Sequence, residues 1–387
     1  MKLKVFNFSE YSLKRYNFKV VFLIAALCVL GYLVLTSALS NDPARDATLN
    51  KQLMGIAIGA LFMIVLSVID YHFVLKAAPI IYAGVVLILG LVLVIGVTYY
   101  DATRWFRIGG IQFQPSEFAK IGVIIVFAGY FAANRDRINK PLVLLIAVAL
   151  FGVIAFLIYS EPDLSTTIVV SFIFISLLYV AKISYKWILG VLAVVLPVGG
   201  FVIYRLLNDV DESGVLRHYQ MNRIMAWLYP DQYRSSGLNT QQENSILAIS
   251  SGQLYGKGLN NTSFESVKNG NFLYEEDCDF IFSVIGEELG FIGSLIVLSL
   301  ITFLVLECFK IGFRAKDMGG RLLAVGMGTL IAFQTFVNIA VATGLLPNTG
   351  LPLPFMSAGV SSVLSLFIGT GVVLNVGMQR RNPDSDW

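Results

Sequence analysis

Long apolar runs separated by short polar segments dominate this chain. Each run is long enough to cross about 30 Å of hydrocarbon as a helix, which takes roughly 20 residues. The fifth and sixth runs are separated only by Glu161, Pro162 and Asp163. The pattern predicts an all-α polytopic membrane protein with about ten transmembrane helices, at 19–40, 52–70, 75–98, 116–133, 141–159, 164–181, 187–206, 280–309, 322–345 and 355–378.

Composition supports this class of protein. Of 387 residues, 56% are hydrophobic and only 14% are charged, with a mean hydropathy of +0.74, whereas soluble domains are typically about 25% charged. A soluble multidomain protein is therefore excluded. The net charge of +3 is small and indicates no nucleic-acid partner, and the two histidines and three cysteines have no metal-binding spacing.

Lysine and arginine predict the orientation in the membrane. With the N-terminus inside, the segments on that side hold roughly 17 of them and the short loops outside hold roughly four. Both termini are therefore expected in the cytoplasm. The predicted organisation is a cytoplasmic segment at 1–18, a transmembrane domain at 19–378 with a large extracellular loop at 207–279, and a cytoplasmic tail at 379–387.

Acidic residues gather where the long external segment meets the eighth run. Asp277 fits a solvated helix start, where N–H groups and the helix dipole favour a carboxylate. For Asp279 two interpretations stay open: a helix cap, or a carboxylate with a chemical task, because charge beside lipid is costly. Glu161 and Asp163 share a very short external turn, for which we expect a cap on the next helix.

A second external loop carries unusual cations. Arg104 and Arg107 lie where positive charge is otherwise scarce. They contact either ordinary lipid phosphates or a lipid-linked phosphate substrate, since arginine binds phosphate through paired hydrogen bonds, and both interpretations stay open. Trp105 between them suits the headgroup level.

The loop leads into a helix start at Pro115 or Ser116. Glu117 suits the first turn of that helix, and Lys120 shares its face. Lys120 is the only Lys or Arg well inside a predicted span near the outside. We therefore expect it to pair with Glu287 or Glu288, which lie on the order of 12 Å deeper than Asp279 and need partners.

The external segment also holds polar and glycine-rich pieces. Arg223 begins an amphipathic stretch expected to lie on the membrane, and Gln241 follows it. Lys257 sits in a glycine-rich turn, 252–258, which departs from a P-loop but can expose N–H groups to an anion. Ser283, Gly286, Gly290 and Gly293 are expected on one close-packing helix face.

The last external loop, 344–357, has three prolines near the membrane. It cannot form a regular helix. We therefore expect it to be buried in protein or to line a wet cavity.

Several blocks of this chain resemble the SEDS family of membrane glycosyltransferases, which comprises RodA, FtsW and SpoVE. The motifs Asp-Phe-Ile-Phe and Gly-Glu-Glu-Leu-Gly within residues 279–290 are highly specific for this family. The similarity follows the chain in order at 104–105, 113–120, 161–166, 252–258, 279–293 and 343–355. It implies ten spans, both termini cytoplasmic, an essential external aspartate at Asp279, lipid II as substrate and a class B penicillin-binding protein as partner.

Some positions depart from the usual sequence pattern of the family. They are 357–362, 274–279 and Asn244, where a second glutamine is usual. None removes Asp279. The wording at 113–120, the compact length and the short termini are more like the RodA branch than the FtsW branch, which implies a role in cell elongation and rod shape; division and sporulation roles are the alternatives.

The implied reaction joins two lipid-linked disaccharides on the outer face of the bacterial cytoplasmic membrane. Asp279 is the candidate general base. Arg104, Arg223, Lys257 and Lys120 are the candidate partners of the departing pyrophosphate, and Trp105 and Gln241 complete the expected substrate contacts. Glu117, Asp163, Glu287 and Glu288 are interpreted as polar groups that support the site within or beside the membrane.

A divalent cation, magnesium or manganese, can share the role of stabilising the pyrophosphate, but the sequence shows no dedicated metal cage. Two functions of other classes fit the same pattern. A lipid-precursor flippase would also use broken helices and intramembrane carboxylates, although its charges should line a path to both faces. A non-catalytic scaffold would tolerate loss of Asp279.

Overall fold

In the computed structural model, 13 helices and one small sheet make up the described part of the chain. The structure describes residue 11, residues 13–99, 102–108, 111–187, the positions 189, 190, 193 and 197, and residues 218–233, 240–260 and 278–379. Asp277 and the predicted span 187–206, apart from residue 187 and the four isolated positions, lie outside the described residues.

Helices account for most of the described residues. Their bounds are α1 Phe18–Ala38, α2 Arg45–Val68, α3 Tyr71–Lys76, α4 Ala78–Ile95, α5 Pro115–Ala133, α6 Pro141–Ser160, α7 Leu164–Val180, α8 His218–Leu228, α9 Pro230–Tyr233, α10 Thr240–Ser251, α11 Ile281–Phe313, α12 Met318–Ala342 and α13 Val360–Met378. Eight of them are long and apolar enough to cross a membrane, and α7 is a shorter apolar helix. The all-α polytopic class is confirmed.

Local signals explain where the helices begin. Proline occupies the first turn of α4, α5 and α6, where its missing N–H costs nothing. The carboxylate of Asp163 accepts a hydrogen bond from Thr166 N, and that of Asp317 accepts one from Gly320 N. These caps satisfy N–H groups that the first helical turn leaves without partners, and the cap expected at Asp163 is confirmed.

Three helices form the centre of the bundle. The apolar windows of α5, α12 and α13 are 72–78% buried, whereas those of the other five spans are 22–44% buried. Helices whose surface is apolar on all sides, with many of these side chains exposed, are typical of helices surrounded by lipid. The large apolar side chains on the outside of α2, α4 and α6 are therefore expected to face lipid.

The two ends of the bundle differ. The terminal face, as we call it, holds the start of α1, helix α3, Asp317 and Gln379. The loop face holds the segment between α4 and α5, the turn at residues 161–163, helices α8 to α10, and the proline loop, defined as residues 344–359. All the site residues predicted from the sequence lie on the loop face or in the adjoining helix turns.

A three-stranded antiparallel sheet stands on the loop face, where we expected only a loop. Its strands are β1 Val97–Tyr99, β2 Ala102–Ile108 and β3 Ile111–Phe113. Val97 pairs with Trp105, and Phe106 pairs with Phe113. The strands are too short to show a clear alternation of apolar and polar residues, so the sequence alone did not predict the sheet.

A charged network ties α3 to α12 on the terminal face. His72 Nδ1 lies 2.8 Å from Asp70 Oδ1, and His72 Nε2 lies 2.7 Å from Asp317 Oδ2. Burial by itself would lower the pKa of His72, but its hydrogen bonds to Asp317 and Asp70 outweigh burial and raise that pKa to about 9. The protonated ring is therefore the form that the folded protein favours.

This network predicts a pH dependence of stability. Because the pKa of His72 is higher in the folded protein, its contribution is fully present below the unfolded value of about 6.5 and is lost as the pH rises through about 9. We expect His72→Gln to flatten the fall in thermal midpoint between pH 6.5 and 9, measured in detergent. An identical fall in the variant would contradict the prediction.

Candidate functional site

Asp279 stands two residues before the start of α11, beside the proline loop. Its side chain is half-buried, and its backbone carbonyl accepts a hydrogen bond from Asn338 Nδ2 at 2.9 Å. A Cβ on Gly350 would lie 3.3 Å from Asp279 Oδ2, and Gly350 has a φ of +74°. Glycine at this position therefore allows the loop to pass close to the carboxylate.

Two amides of α12 hold the proline loop from below. Asn338 Nδ2 also donates to Leu351 O at 2.7 Å, and Gln334 Nε2 donates to Pro352 O at 2.8 Å. The two amides are one turn apart, so they reach neighbouring carbonyls of the loop. The irregular backbone thus finds its partners inside the protein, as expected from its prolines.

Lys120 extends this support into the membrane domain. Its ammonium lies 2.8 Å from Glu117 Oε1 and 3.0 Å from Gln334 Oε1, and both charged side chains are at most 3% exposed. The expected pairing of Lys120 with Glu287 or Glu288 is therefore wrong. Lys120 supports the proline loop in this structure, and its contact with substrate stays a prediction.

Glu287 and Glu288 have partners in α1 and in the glycine-rich turn at 252–258. Lys257 Nζ lies 2.8 Å from Glu287 Oε1. Ser37 Oγ donates to Glu288 Oε1, and the same serine oxygen accepts a hydrogen bond from Asn260 N at 2.9 Å. These partners precede α11 in the sequence by long stretches, so spacing within the spans could not identify them.

Helix α11 is broken at Gly290, whose φ of 66° and ψ of −163° are not helical. The carbonyls of Glu287 and Glu288, which the break frees from helical bonding, accept hydrogen bonds from Lys257 N and Gly258 N at 2.9 Å each. A Cβ on Gly290 would lie 2.3 Å from Gly256 N. The two backbones meet here because neither residue has a side chain.

This junction corrects two expectations. Gly290 does not continue one regular helical face with Gly286, because the chain bends there. The glycine-rich turn at 252–258 does not aim all its N–H groups at an anion, since those of Lys257 and Gly258 already bond carbonyls of α11. The close packing predicted at Gly286 is present, but against Ile249 of α10.

Helices α8 and α10 bring further polar groups to the proline loop. Arg223 Nη1 donates to Asn348 O at 3.4 Å, and Asn348 Nδ2 lies 3.4 Å from Gln241 Oε1. Trp227 Nε1 donates to Gly344 O at 2.9 Å. The amphipathic helix expected to lie on the membrane therefore packs on protein along this edge.

Arg104 reaches the turn between α6 and α7 from β2. Its Nε donates to Glu161 O at 3.0 Å, and its Nη2 donates to Pro162 O. Trp105, half-buried, follows it in the strand. Asp163 in the same turn accepts hydrogen bonds from Ser116 Oγ and Thr166 Oγ1, so it joins the starts of α5 and α7.

Glu161 is fully buried, and neither of its carboxylate oxygens has a hydrogen-bond partner among the residues that the structure describes. Burial, and then the neighbouring Asp163 charge, raise the pKa of Glu161 to about 9, against the opposing charge of Arg104. The side chain is therefore a neutral carboxylic acid at pH 7.

The sign of this shift gives a second pH prediction. A carboxyl whose pKa rises from about 4.5 to about 9 on folding loses its stabilising contribution as the pH rises through that window. We expect Glu161→Gln, which is neutral at any pH, to have a higher thermal midpoint than wild type at pH 8, with the gap closing towards pH 5. A gap that is equal at both values would refute this interpretation.

Sequence reasoning missed the amides that build this site. Gln334 and Asn338 are buried polar residues four apart within the predicted span 322–345. Their spacing and their apolar surroundings were a usable signal, because polar side chains inside a membrane helix usually have a task. Asn348 and Ser357, which lie in the proline loop and bond its neighbours, carried no comparable signal.

The described residues thus define an integral membrane protein with a cluster of buried and half-buried polar side chains on and beside its loop face. Asp279 lies beside the proline loop, and Arg223 and Gln241 contact that loop at Asn348. Arg104, in β2, bonds the turn at residues 161–163. Among the described residues there is no group of three or more His, Cys, Asp or Glu side chains that could hold a metal ion.

Comparisons with known proteins identify this class. The profile of the cell cycle proteins FtsW, RodA and SpoVE matches residues 18–382. A probable peptidoglycan glycosyltransferase FtsW of Trichlorobacter lovleyi is 32% identical, over 95% of this chain and 94% of its own length. The peptidoglycan glycosyltransferase MrdB of Escherichia coli is 33% identical, over 93% of this chain and 92% of its own length.

A solved structure agrees with these sequence matches. A chain of a peptidoglycan synthase complex, studied for the coordination of polymerization and crosslinking, superimposes with a TM-score of 0.74 at 29% identity. The alignment covers 94% of this chain and 97% of that one. The chain belongs to the SEDS family, the group that holds FtsW, RodA and SpoVE.

Proposed function

We propose that this chain is a peptidoglycan glycosyltransferase that polymerises lipid II on the outer face of the bacterial cytoplasmic membrane. The observation that carries the proposal is the setting of Asp279. It is a half-buried carboxylate at the polar edge of a membrane domain, held by Asn338 and bordered by Gly350. Relatives that align with 95% and 93% of this chain are named a probable peptidoglycan glycosyltransferase and a peptidoglycan glycosyltransferase.

In the proposed reaction the 4-hydroxyl of an acceptor sugar attacks the anomeric carbon of the donor. One carbon–oxygen bond forms as the bond to undecaprenyl pyrophosphate breaks. Asp279 accepts the hydroxyl proton as general base. The carboxylate needs a fixed position to do so, and the Asn338 hydrogen bond to its backbone supports that.

The leaving pyrophosphate needs cationic partners. Arg223 is the candidate that best fits this role, because it contacts the proline loop beside Asp279 through Asn348. Arg104, Trp105, Gln241 and Lys257 are proposed to complete the substrate surface. A divalent cation stays an expectation, and the described residues include no group of three or more His, Cys, Asp or Glu side chains that could hold one.

The proposed orientation places the loop face outside and both termini in the cytoplasm. It rests on the excess of Lys and Arg in the segments of the terminal face. Lipid II carries its sugar at the water interface, so a polymerase centre on the loop face suits an external substrate. The localisation that follows is a multi-pass protein of the cytoplasmic membrane.

A class B penicillin-binding protein is the proposed partner, and cell elongation is the proposed stage. The first is supported by the similar chain in a peptidoglycan synthase complex. The second is supported by the RodA-like sequence at 113–120. Relatives carry both FtsW and MrdB names, so division is the competing assignment.

The test is polymerisation of purified lipid II by the protein, alone and with its cognate class B partner. Glycan strands formed by the complex would support the proposal. Translocation of labelled lipid II across vesicle membranes, without formation of glycan strands, would favour a flippase.

The cellular stage is tested by complementation. We expect the gene to restore rod shape in cells depleted of their elongation polymerase and to leave cells depleted of the division polymerase filamentous. The reverse result would assign it to division.

A further inference from the structure

A cavity of about 640 Å³ opens between helices near the terminal face, far from Asp279. Helices α3, α4, α5, α6 and the start of α12 surround it. Its volume lies within the range of about 300–1,000 Å³ that holds small ligands. None of the residues that line it belongs to the proposed catalytic site.

The cavity has one polar end and one apolar end. Lys76, Arg135, His72 and Asp317 line it where α3, α5 and α12 reach the surface. Leu150 lines the other end, nine residues beyond Pro141, and so on the order of 13 Å deeper at 1.5 Å per residue. A long, amphipathic occupant fits this gradient, because the apolar end lies at the depth of acyl chains.

Small residues, among them Ala78, Gly129 and Ala132, line the cavity together with the rings of Tyr82 and Tyr130. Gly129 packs so closely on α3 that a Cβ would lie 2.8 Å from Leu75 O. The hydroxyl of Tyr82 donates to Leu150 O at 3.2 Å, and that of Tyr130 donates to Val143 O at 2.8 Å. With both hydroxyls bonded to backbone, the rings contribute apolar surface to the cavity.

The charges at the polar end favour a phosphate. Asp317 bonds both His72 Nε2 and Gly320 N, so its charge is already engaged. Lys76 and Arg135 are exposed at the rim, and basic residues at a pocket between membrane helices are the usual setting for anionic headgroups. We propose that this cavity binds one anionic phospholipid of the leaflet at the terminal face, with its phosphate on Lys76 and Arg135 and an acyl chain against Leu150.

Binding can be measured by native mass spectrometry of the purified protein titrated with phosphatidylglycerol or phosphatidylcholine. We expect one phosphatidylglycerol to bind more tightly than phosphatidylcholine. Lys76→Gln with Arg135→Gln should weaken phosphatidylglycerol binding about 30-fold, since each basic residue near a membrane surface contributes a few-fold to tenfold. Lys186→Gln with Arg314→Gln, which also removes two positive charges from this face, should leave binding unchanged.

A second pair of variants tests the apolar end. Leu150→Trp should weaken binding of both lipids, whereas Val153→Trp, on the exposed side of α6, should not. Equal binding of the two lipids, or equal loss in the control variants, would overturn the proposal. A polyprenyl phosphate that displaces phosphatidylglycerol would also overturn it, by assigning the cavity to an isoprenoid. Because these measurements need no catalysis and no orientation, they stand apart from the fate of the proposed polymerase activity.

Discussion

Asp279→Asn is expected to abolish formation of glycan strands while leaving the protein folded. The amide keeps the shape of the side chain but cannot accept the proton of the attacking hydroxyl. A positioned general base contributes typically about 10²–10⁴-fold, so the rate of polymerisation should fall by at least about 100-fold. The measurement is the length and amount of strands made from lipid II by the purified protein with its partner.

The matched control is Glu243→Gln, the same acid-to-amide change on α10 of the loop face. We expect it to retain nearly all activity. Thermal unfolding of both variants should match wild type, since the backbone contact from Asn338 to Asp279 does not depend on the carboxylate. Strands of equal amount from Asp279→Asn and wild type would move the general base to another residue.

Lys120→Met is expected to destabilise the membrane domain strongly. It would leave the carboxylate of Glu117 buried and without its cation, and breaking a buried ion pair in this way typically costs about 3–5 kcal/mol. The change would also remove the bond to Gln334, whose amide holds the proline loop at Pro352. We therefore expect loss of most folded protein in a detergent thermal-stability assay.

The double variant Lys120→Met with Glu117→Met separates charge burial from packing. Replacing both partners by apolar groups of similar size is often neutral or stabilising, so folded protein should largely return. Activity should stay low even then, because Gln334 has lost its lysine partner beneath the loop. A single variant as stable as wild type would show that Glu117 finds another partner or becomes protonated.

The helices of the membrane domain were predictable because long apolar runs are a simple sequence signal. A run of about 20 apolar residues has few other fates, and the structure places helices at every predicted span that falls within its described residues. The seventh span and Asp277 lie outside them. The cap at Asp163 and the burial of the proline loop were also predictable, since both follow from local backbone needs.

The partners of the buried charges were not predictable in the same way. Depth along a helix suggested that Glu287 or Glu288 would meet Lys120, but their partners come from α1 and from the turn behind α10. Helical periodicity predicts on which face of its helix a residue lies. It does not predict which other helix or loop packs against that face. The break at Gly290 was hidden for a related reason, because glycine is also the residue that a continuous close-packed membrane helix uses.

The break at Gly290 divides α11 into two segments with different surroundings. The part before it, which follows Asp279, is bonded to the glycine-rich turn at 252–258 through Lys257 and Gly258, while the part after it is the long apolar stretch expected to cross the bilayer. A span that tilts to match a thicker or thinner membrane can therefore adjust below the break without carrying the carboxylate with it. We therefore expect the position of Asp279 to change little when the thickness of the bilayer changes.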